Sequence, residues 1–245
     1  MAFCVGSFWA SLHMTHWQQL PSIPAMALGL QFGWGWAVAM QLSALAFLAL
    51  LLRKIAIKDK AIDPITAPRP LFRWKSIASG PWPLLLAALI LAVLNFATLA
   101  NAGHPWTITW AFSLWGAKVA TLFGWIPPEG SFWTAQFQRA ALQNSIFQDT
   151  TSVMNMGLML GAFCAAAMAN RGRPILRLPL RSYLAALIGG LLLGYGARIA
   201  YGCNIGALFS GIASTSLHGW LWIAAALPGN WLGIRLRPWF ALSNR

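Results

Sequence analysis

The chain has 245 residues, of which 58% are hydrophobic and only 9% are charged, and its mean hydropathy is +0.62. A soluble domain carries about a quarter charged residues, so this composition excludes an ordinary soluble domain and indicates a polytopic membrane protein. The formal net charge of +13 does not indicate a nucleic-acid-binding protein, because seven Lys and Arg residues cluster in 53–75 and four more in 171–181, beside apolar runs. Basic clusters in such positions mark cytoplasmic loops.

Five apolar runs are long enough to cross the hydrocarbon core of a bilayer, which takes about 20 helical residues. They are 28–52, 82–101, 152–170, 182–202 and 218–236. These runs predict an all-α polytopic integral membrane protein, folded as a single membrane domain over 1–245. The basic loops orient it, so we expect 53–75, 171–181 and the C-terminus after Arg235 and Arg237 to be cytoplasmic.

The N-terminal segment shares a pattern with a segment near the C-terminus. In 4–17 and in 203–222 a cysteine is followed by a glycine, then by Ser-Leu-His at 11–13 and 216–218, with a tryptophan nearby. Transporters are often built from repeats of this kind and bind substrate where the repeats meet. The alternative is a chance similarity in a tryptophan-rich chain. If it is a repeat, the domain divides into a remainder of the first repeat (1–54), a basic cytoplasmic loop (55–80) and a second repeat (81–239).

The stretch 104–125 is apolar but contains Lys118 and two glycines. If it crossed the membrane alone, the following span would leave the four arginines of 171–181 on the outer side, against the usual orientation. We therefore expect 104–148 to be re-entrant or to lie on the outer surface. The alternative is a second crossing within the amphipathic stretch 130–148.

Polar residues stand at the start of the span that begins near residue 152. Asp149 precedes two threonines and a serine, which is typical of a helix N-terminus whose first side chain caps the free backbone amides. Asn155 then enters the span as an intramembrane polar group that needs a partner. Both residues are candidates for substrate binding. The alternative is a structural role for each, as a cap and as an interhelical hydrogen bond.

The most unusual stretch is "GYGARIAYGCNIGALFSG", in which Arg198, Cys203 and Asn204 stand among glycines in an apolar region. Glycines such as Gly202 and Gly206 permit non-helical backbone, which is tolerated at membrane depth only where it is buried in protein or lines a cavity. An arginine at that depth by default pairs with an anion or faces water. These five residues are therefore candidates for a substrate pocket. The alternatives are an arginine that reaches the outer headgroups and a cysteine that serves as a small buried apolar residue.

The sequence gives no support to metal, cofactor or disulfide chemistry. Its three cysteines, Cys4, Cys164 and Cys203, have neither the spacing of metal ligands nor a pairing pattern. Only four carboxylates are present, and three of them fall in predicted loops, which leaves no acidic pair for a cation. We expect no cofactor, no metal site and no enzyme activity.

Two stretches resemble the signatures of the YeeE/YedE family of membrane proteins, which import thiosulfate or related sulfur compounds. They are "DTTSVMNMGLMLGA" and "GGLLLGYGARIAYGCNIGALFSG", and the region 28–54 with its basic loop is similar to the middle of such proteins. The resemblance covers nearly the whole chain, and the pattern G-x-R-x-x-x-G-C-[NS]-x-G is specific.

The resemblance implies an all-helical fold of two similar halves in the bacterial inner membrane. It also implies cysteines near the membrane centre that contact the sulfur substrate, and a TusA-like sulfur-carrier protein as cytoplasmic partner. By resemblance, Cys203 matches the second-half cysteine and Cys4 is a candidate for a first-half cysteine. Because the chain opens within the first half, we expect a fragment, a wrongly assigned start, or a short form that needs a second copy or another subunit.

These features together predict import of thiosulfate or a related small sulfur-containing anion. A neutral thiol such as Cys203 donates a weak hydrogen bond to a soft sulfur atom, whereas arginine, asparagine and backbone N–H groups suit the oxygens. Two alternatives come from other classes. The chain could instead be a non-transporting accessory subunit, or a membrane redox enzyme that uses Cys203 covalently.

Overall fold

The computed structural model of the protein describes residues 1–58, 82–169 and 179–242. Within these residues eleven α-helices follow one another, with 3-10 turns at Phe132–Thr134, Ile146–Gln148 and Arg237–Phe240 and a π-helical turn at Asn204–Phe209. The helices are α1 (Ala2–Leu12), α2 (Met14–Gln19), α3 (Leu28–Phe32), α4 (Trp34–Lys58), α5 (Leu84–Ala102), α6 (Thr109–Leu122), α7 (Gln136–Gln143), α8 (Thr150–Met168), α9 (Leu180–Ile199), α10 (Ser210–Ala213) and α11 (Leu217–Leu236).

Four segments of the described chain are long and apolar enough to cross a membrane, and all are helical except for a break at residues 200–203 of the fourth. They are Trp34–Ile55, Leu84–Ala102, Thr150–Met168 and Leu180–Ala213. At a rise of about 1.5 Å per residue, the 19 residues of α5 extend about 28 Å, close to the hydrocarbon thickness of about 30 Å. The predicted all-α polytopic membrane protein is confirmed.

One predicted span needs correction, and the crossing of the membrane by 218–236 stays a prediction. The run 28–52 is not one helix, because Gly33 adopts φ +81° and separates α3 from α4, so the span begins at Trp34. The run 218–236 does form a helix, α11, but this helix is not among the four apolar segments. Pro228 and Asn230 lie within α11 and reduce its apolar character.

The most tightly packed part of the fold is the contact between α1 and α9. A Cβ atom on Gly6 would clash with the backbone carbonyl of Leu191, and a Cβ on Gly194 would clash with the backbone carbonyl of Phe3. Glycine is required at both positions because the two backbones approach each other directly. The short N-terminal helix, 11 residues long, is thus held by packing against a spanning helix.

The same N-terminal helix packs on its other side against α6. The hydroxyl groups of Ser7 and Ser113 are 2.5 Å apart, and the indole Nε1 of Trp133 donates to Ser11 Oγ at 2.8 Å. These polar contacts adjoin a buried apolar cluster in which Met14, Leu114, Ala117, Phe132 and Trp133 touch. The core of the described chain therefore lies where α1, α6 and the 3-10 turn at Phe132–Thr134 meet.

Helix α5 and much of α4 lie outside this core. None of the residues of α5 is buried, and Leu84, Leu85 and Phe96 are each at least 70% exposed. Apolar surface of this extent is unfavourable in water and suits the acyl chains of a bilayer or a protein partner.

Residues 26–29 join the C-terminal part of the chain by backbone hydrogen bonds. An isolated antiparallel bridge pairs Ala27 with Ser216, and the amides of Leu28 and Leu217 donate to the carbonyls of Thr215 and Met26 at 2.9 and 3.1 Å. The beginning of α3 and the beginning of α11 are therefore fixed relative to each other.

The segment 104–148 contains α6 and α7. At about 1.5 Å per residue these helices extend about 21 and 12 Å, and α7 is too short to cross the hydrocarbon core. Lys118 lies near the end of α6, where its Nζ donates to the carbonyls of Leu142 and Asn144 at 2.8 and 2.6 Å. This lysine thus ties α6 to the end of α7, and burial lowers its pKa. The re-entrant path of 104–148 stays a prediction.

The division into a first repeat (1–54) and a second repeat (81–239) also stays a prediction. Most of the basic loop 55–80 and the arginines at 171, 173 and 177 lie outside the described residues. Locally the two cysteine segments differ, because Cys4 lies within α1 whereas Cys203 has extended backbone just before the π-helical turn.

Candidate functional site

The unusual stretch forms the end of α9 and the turn that follows it. The amides of Ala200 and Gly202 donate to the carbonyls of Gly196 and Ala197 at 2.8 and 2.9 Å, which closes the last turn of the helix. Tyr201 then adopts φ +53°, a left-handed conformation that is rare for a bulky side chain. Strained backbone of this kind persists only where the surrounding structure holds it, and such positions cluster at functional sites.

Cys203 follows in an extended conformation and starts the π-helical turn. Its carbonyl accepts from the amides of Ala207 and Leu208 at 2.8 and 3.3 Å, and the bond from Leu208, five residues on, closes the wider ring of a π-helix. Gly202 is packed against the turn, since a Cβ there would lie 2.5 Å from the amide nitrogen of Ala207. The backbone around Cys203 thus leaves the helical path, as the glycines predicted.

The turn separates two cavities. The first, here called the thiol cavity, has a volume of about 440 Å³ and lies between α9 and α11. Gly202, Cys203 and Asn204 line one side of it, and small or apolar side chains of the two helices line the rest. Its polar lining is thus concentrated on the turn.

The second, here called the aromatic cavity, has a volume of about 310 Å³ and lies on the side of the segment 104–110. It is lined by His104, Trp106, Trp110, Tyr201, Gly206 and Ser210 among others. The serine hydroxyl donates to the carbonyl of Trp106 at 3.0 Å, which attaches the start of α10 to this segment. Residues 201–206 therefore contribute to both cavities.

Arg198 packs against aromatic rings. Its guanidinium carbon is 4.4 Å from the ring centroid of Phe132 and 5.8 Å from that of Trp110. Its Nε atom is buried and makes no hydrogen bond with the described residues. Cation–π contacts of this type contribute about 0.5–2 kcal/mol and leave guanidinium hydrogen-bond donors unused.

Asp149 and Asn155 make the structural contacts that their patterns indicated. Asp149 caps α8, since its Oδ2 accepts from the amide of Ser152 at 2.8 Å, and its Oδ1 accepts from Trp110 Nε1 at 2.9 Å. Asn155 is buried, and its Nδ2 donates to the carbonyl of Ile108 at 2.8 Å, whereas its Oδ1 has no partner among the described residues. The Oδ1 atom of Asn155 thus remains, in the described chain, an unpaired acceptor beside the segment 104–110.

Cys4 is half-buried on α1, where its carbonyl lies close to Gly116 of α6. Burial raises the pKa of the Cys4 thiol above its usual range, so the thiol is protonated at neutral pH. Cys4 lines neither the thiol cavity nor the aromatic cavity. Cys164 is exposed on α8 and lines neither of them.

Comparison with known proteins decides the family. Residues 1–232 match the family model described as Sulphur transport. The chain belongs to this family. It is the YeeE/YedE family that the two motifs resemble, and the chain is accordingly a multi-pass membrane protein of a sulfur transporter family.

Individual members of the sulphur transport family are similar over parts of the chain. The probable transporter YedE of Escherichia coli (strain K12) is 36% identical over 159 residues, which is 64% of this chain and 37% of YedE. YedE of Salmonella typhimurium (strain LT2) is 34% identical over the same length, again 37% of that protein. The thiosulfate transporter TsuA of Spirochaeta thermophila is 44% identical over 78 residues, which is 31% of this chain and 23% of TsuA.

The chain thus spans little more than a third of the length of its YedE relatives. These family members are named as transporters and not as enzymes, in agreement with the expectation that the chain is not an enzyme. No solved structure matches the chain.

The family motif is therefore spread over distinct surroundings in the fold. Gly202, Cys203 and Asn204 share the thiol cavity, Gly206 lines the aromatic cavity, and Arg198 lies against the rings of Phe132 and Trp110. The sequence patterns did not indicate Phe132, Trp110 or Tyr201 as site residues. No pattern in the chain predicts a tyrosine in the left-handed conformation. The number of tryptophans in 104–133 could have indicated a cluster of aromatic rings against Arg198.

Proposed function

We propose that this protein takes part in the import of thiosulfate or a related small sulfur-containing anion, and that Cys203 contacts the substrate. The observation that carries the proposal is the position of Cys203 on a non-helical turn that contributes to two cavities, one on each side. Irregular backbone inside a membrane protein is favourable only where protein or a cavity surrounds it, so this turn is suited to a translocation route. The family membership supports the same conclusion.

The chemistry of the thiol cavity suits weak binding of a sulfur anion. Thiosulfate carries one soft sulfur atom and three oxygens. The thiol of Cys203 donates a weak hydrogen bond to the sulfur, and the side-chain amide of Asn204 and backbone N–H groups donate to the oxygens. Transport requires binding that is also weak enough for release, and a neutral thiol fulfils this better than several arginines around the anion would.

Arg198, in this proposal, acts as an attractor for the anion. Its guanidinium lies against the rings of Phe132 and Trp110, of which Trp110 lines the aromatic cavity, and this aromatic packing keeps it partly desolvated. A positive charge in such surroundings acts over a longer distance than one in water. In the same proposal Cys4 is a second thiol on the route, Asp149 and Asn155 shape the aromatic side, and Gly202 and Gly206 provide the backbone geometry.

We place the protein in the bacterial inner membrane with its C-terminus in the cytoplasm, because the basic clusters of the sequence adjoin that side. A TusA-like carrier that accepts the sulfur compound in the cytoplasm is the proposed partner, and the exposed faces of α4 and α5 are available for self-association.

Growth of a bacterium that lacks thiosulfate uptake tests the function. The cells express the chain, its Cys203→Ala variant or its Cys164→Ala variant, with thiosulfate as the sole sulfur source. We expect growth with the wild type and with Cys164→Ala, because Cys164 is exposed on α8 away from both cavities. We expect no growth with Cys203→Ala. Growth of all three at equal rates would contradict the role of Cys203.

A second candidate function is that of a non-transporting accessory subunit. The exposure of the whole of α5 favours it, since a helix without buried residues has room for a protein partner. Copurification of a larger membrane protein, together with absence of growth when this chain is expressed alone at a normal level in the membrane, would support the accessory role over independent transport.

A further inference from the structure

The histidines of the two Ser-Leu-His segments contact the same end of α9. His218 Nε2 is 2.8 Å from the carbonyl oxygen of Ala200, and His13 Nδ1 is 3.2 Å from the hydroxyl of Tyr195. Arg198 lies between these two attachment points. We propose that His218 is a positioning residue that holds the Cys203 turn in its binding geometry, with His13 as a weaker second tether; this inference rests on the proposed function of Cys203.

The direction of the His218 hydrogen bond follows from its partner. A carbonyl oxygen only accepts, so Nε2 of His218 carries the proton and donates. Ala200 is the capping residue at the end of α9, where the last carbonyls of a helix have no intrahelical donor. The imidazole therefore supplies a donor to a carbonyl that needs one, directly before the left-handed Tyr201.

The position of His218 in its own helix makes it a rigid donor. Ser216 caps α11, and its Oγ accepts from the backbone amide of His218 at 3.2 Å. Leu217 donates its amide to the carbonyl of Met26. The helix start that carries the side chain is also held by backbone hydrogen bonds to residues 26–28, which remain when the Ser216 hydroxyl is removed. Helix α11 also lines the thiol cavity on the side opposite Cys203.

The His13 contact is a shared one. Trp17 Nε1 donates to the hydroxyl oxygen of Tyr195 at 3.3 Å, which leaves the phenolic proton free to donate to Nδ1 of His13. Tyr195 is therefore held by two side chains of the N-terminal segment, and loss of one of them leaves the other. For this reason we assign the larger effect to His218, the one donor to the Ala200 carbonyl among the described residues.

The two attachments have one consequence for the site. Together with the backbone hydrogen bonds of Ala200 and Gly202, they hold the last turn of α9, whose path sets the positions of Arg198 and Cys203. Without the donor of His218, Tyr201 is free to leave its left-handed conformation, and Cys203 then loses its defined place on the thiol cavity.

Alkylation of Cys203 measures this directly and does not depend on transport. The chain carries Cys4→Ala and Cys164→Ala, so that N-ethylmaleimide reports on Cys203 alone in native membranes. His218→Phe keeps a ring of similar size but removes the donor, whereas His218→Gln keeps an N–H donor. Ser216→Ala is the matched control, because it removes the cap of α11 but not the tether.

We expect alkylation in His218→Phe to be roughly 2- to 10-fold faster than in the parent, the range that corresponds to loss of one hydrogen bond. His218→Gln and Ser216→Ala are expected to stay within twofold of the parent. If His218→Phe does not accumulate in the membrane while His218→Gln does, the need for the donor is likewise supported. Equal rates in His218→Phe and His218→Gln, or an equal rise in Ser216→Ala, would overturn the proposal.

Thiosulfate uptake, measured with all three native cysteines present, separates this inference from the proposed function. If the wild type takes up thiosulfate, His218→Phe is expected to raise KM several-fold, and His218→Gln to restore it. Absence of uptake by the wild type, with the expected pattern of alkylation, would reject transport by this chain alone and retain the positioning role. Unchanged alkylation in His218→Phe together with reduced uptake would reject the positioning role and retain transport.

Discussion

The close approach of α1 and α9 gives a prediction whose magnitude follows from the structure. In Gly194→Ala the new Cβ would meet the carbonyl of Phe3 and lie 2.9 Å from the amide nitrogen of Ser7, both of which belong to the backbone of α1. In Gly189→Ala, on the same helix, the new Cβ would have no neighbour within 4 Å. Both substitutions gain about 0.5–1 kcal/mol from the higher helix propensity of alanine.

The difference between the two variants is therefore the cost of the clash alone. Overpacking costs about 1–3 kcal/mol, and the upper end applies because backbone atoms cannot move aside as a flexible side chain can. For a chain of this size about 1 kcal/mol corresponds to 2–4 °C in the melting temperature, so Gly194→Ala should melt roughly 6–12 °C below Gly189→Ala. Tryptophan fluorescence of the detergent-solubilised variants during heating measures this. Melting temperatures within about 2 °C of each other would show that α1 does not pack on α9 as described.

Three further predictions concern the site. Asp149→Ala should lower the melting temperature by several degrees, because loss of a helix cap costs about 1 kcal/mol and the Trp110 N–H also loses its acceptor. Asp149→Asn keeps an oxygen acceptor and should recover part of this loss in the same assay. Burial raises the pKa of the Cys4 thiol, so Cys4 should react with maleimide more slowly than a free thiol at pH 7–8 and gain reactivity only as the pH rises through this higher pKa. A pH profile of the reaction rate in a chain without the other two cysteines measures this. An inflection at a lower pH than that of a free thiol would contradict the prediction. Gly202→Ala should abolish thiosulfate-dependent growth because its Cβ would lie 2.5 Å from the amide nitrogen of Ala207. Cells with the control variant Gly157→Ala, whose Cβ would have no neighbour within 4 Å on α8, should grow normally at an equal amount of protein in the membrane.

The features that the sequence predicted correctly are those that local chain chemistry determines. The spanning helices follow from apolar runs of membrane length, because the bilayer requires backbone hydrogen bonds to be satisfied within each segment. The cap at Asp149 follows from the preference of a carboxylate for free amides at a helix start, and the pattern needs only four residues to be recognised. Both kinds of signal act over short distances along the chain.

The features that the sequence did not predict depend on contacts between distant segments. The break at Gly33 lies inside an apolar run, so hydropathy alone extended the span across it. The helix α1 is apolar but, with 11 residues, too short to cross the membrane, and it is stabilised by its backbone contact with α9 instead. The left-handed Tyr201 is held by the turn around it, and neither residue type nor spacing encodes that conformation.

The separation of Arg198 from Cys203 has a consequence for how an anion would be handled. Five residues apart in the chain, they lie in different surroundings, since the guanidinium packs on Phe132 whereas the thiol lines a cavity. A guanidinium that lined the cavity would bind oxyanions in a bidentate manner and hold them strongly. In the proposed function, the charge packed against Trp110, which lines the aromatic cavity, raises the local potential for an anion although Arg198 does not itself line that cavity. The proposed function thus assigns attraction and contact to different residues, which keeps binding at the thiol weak enough for release.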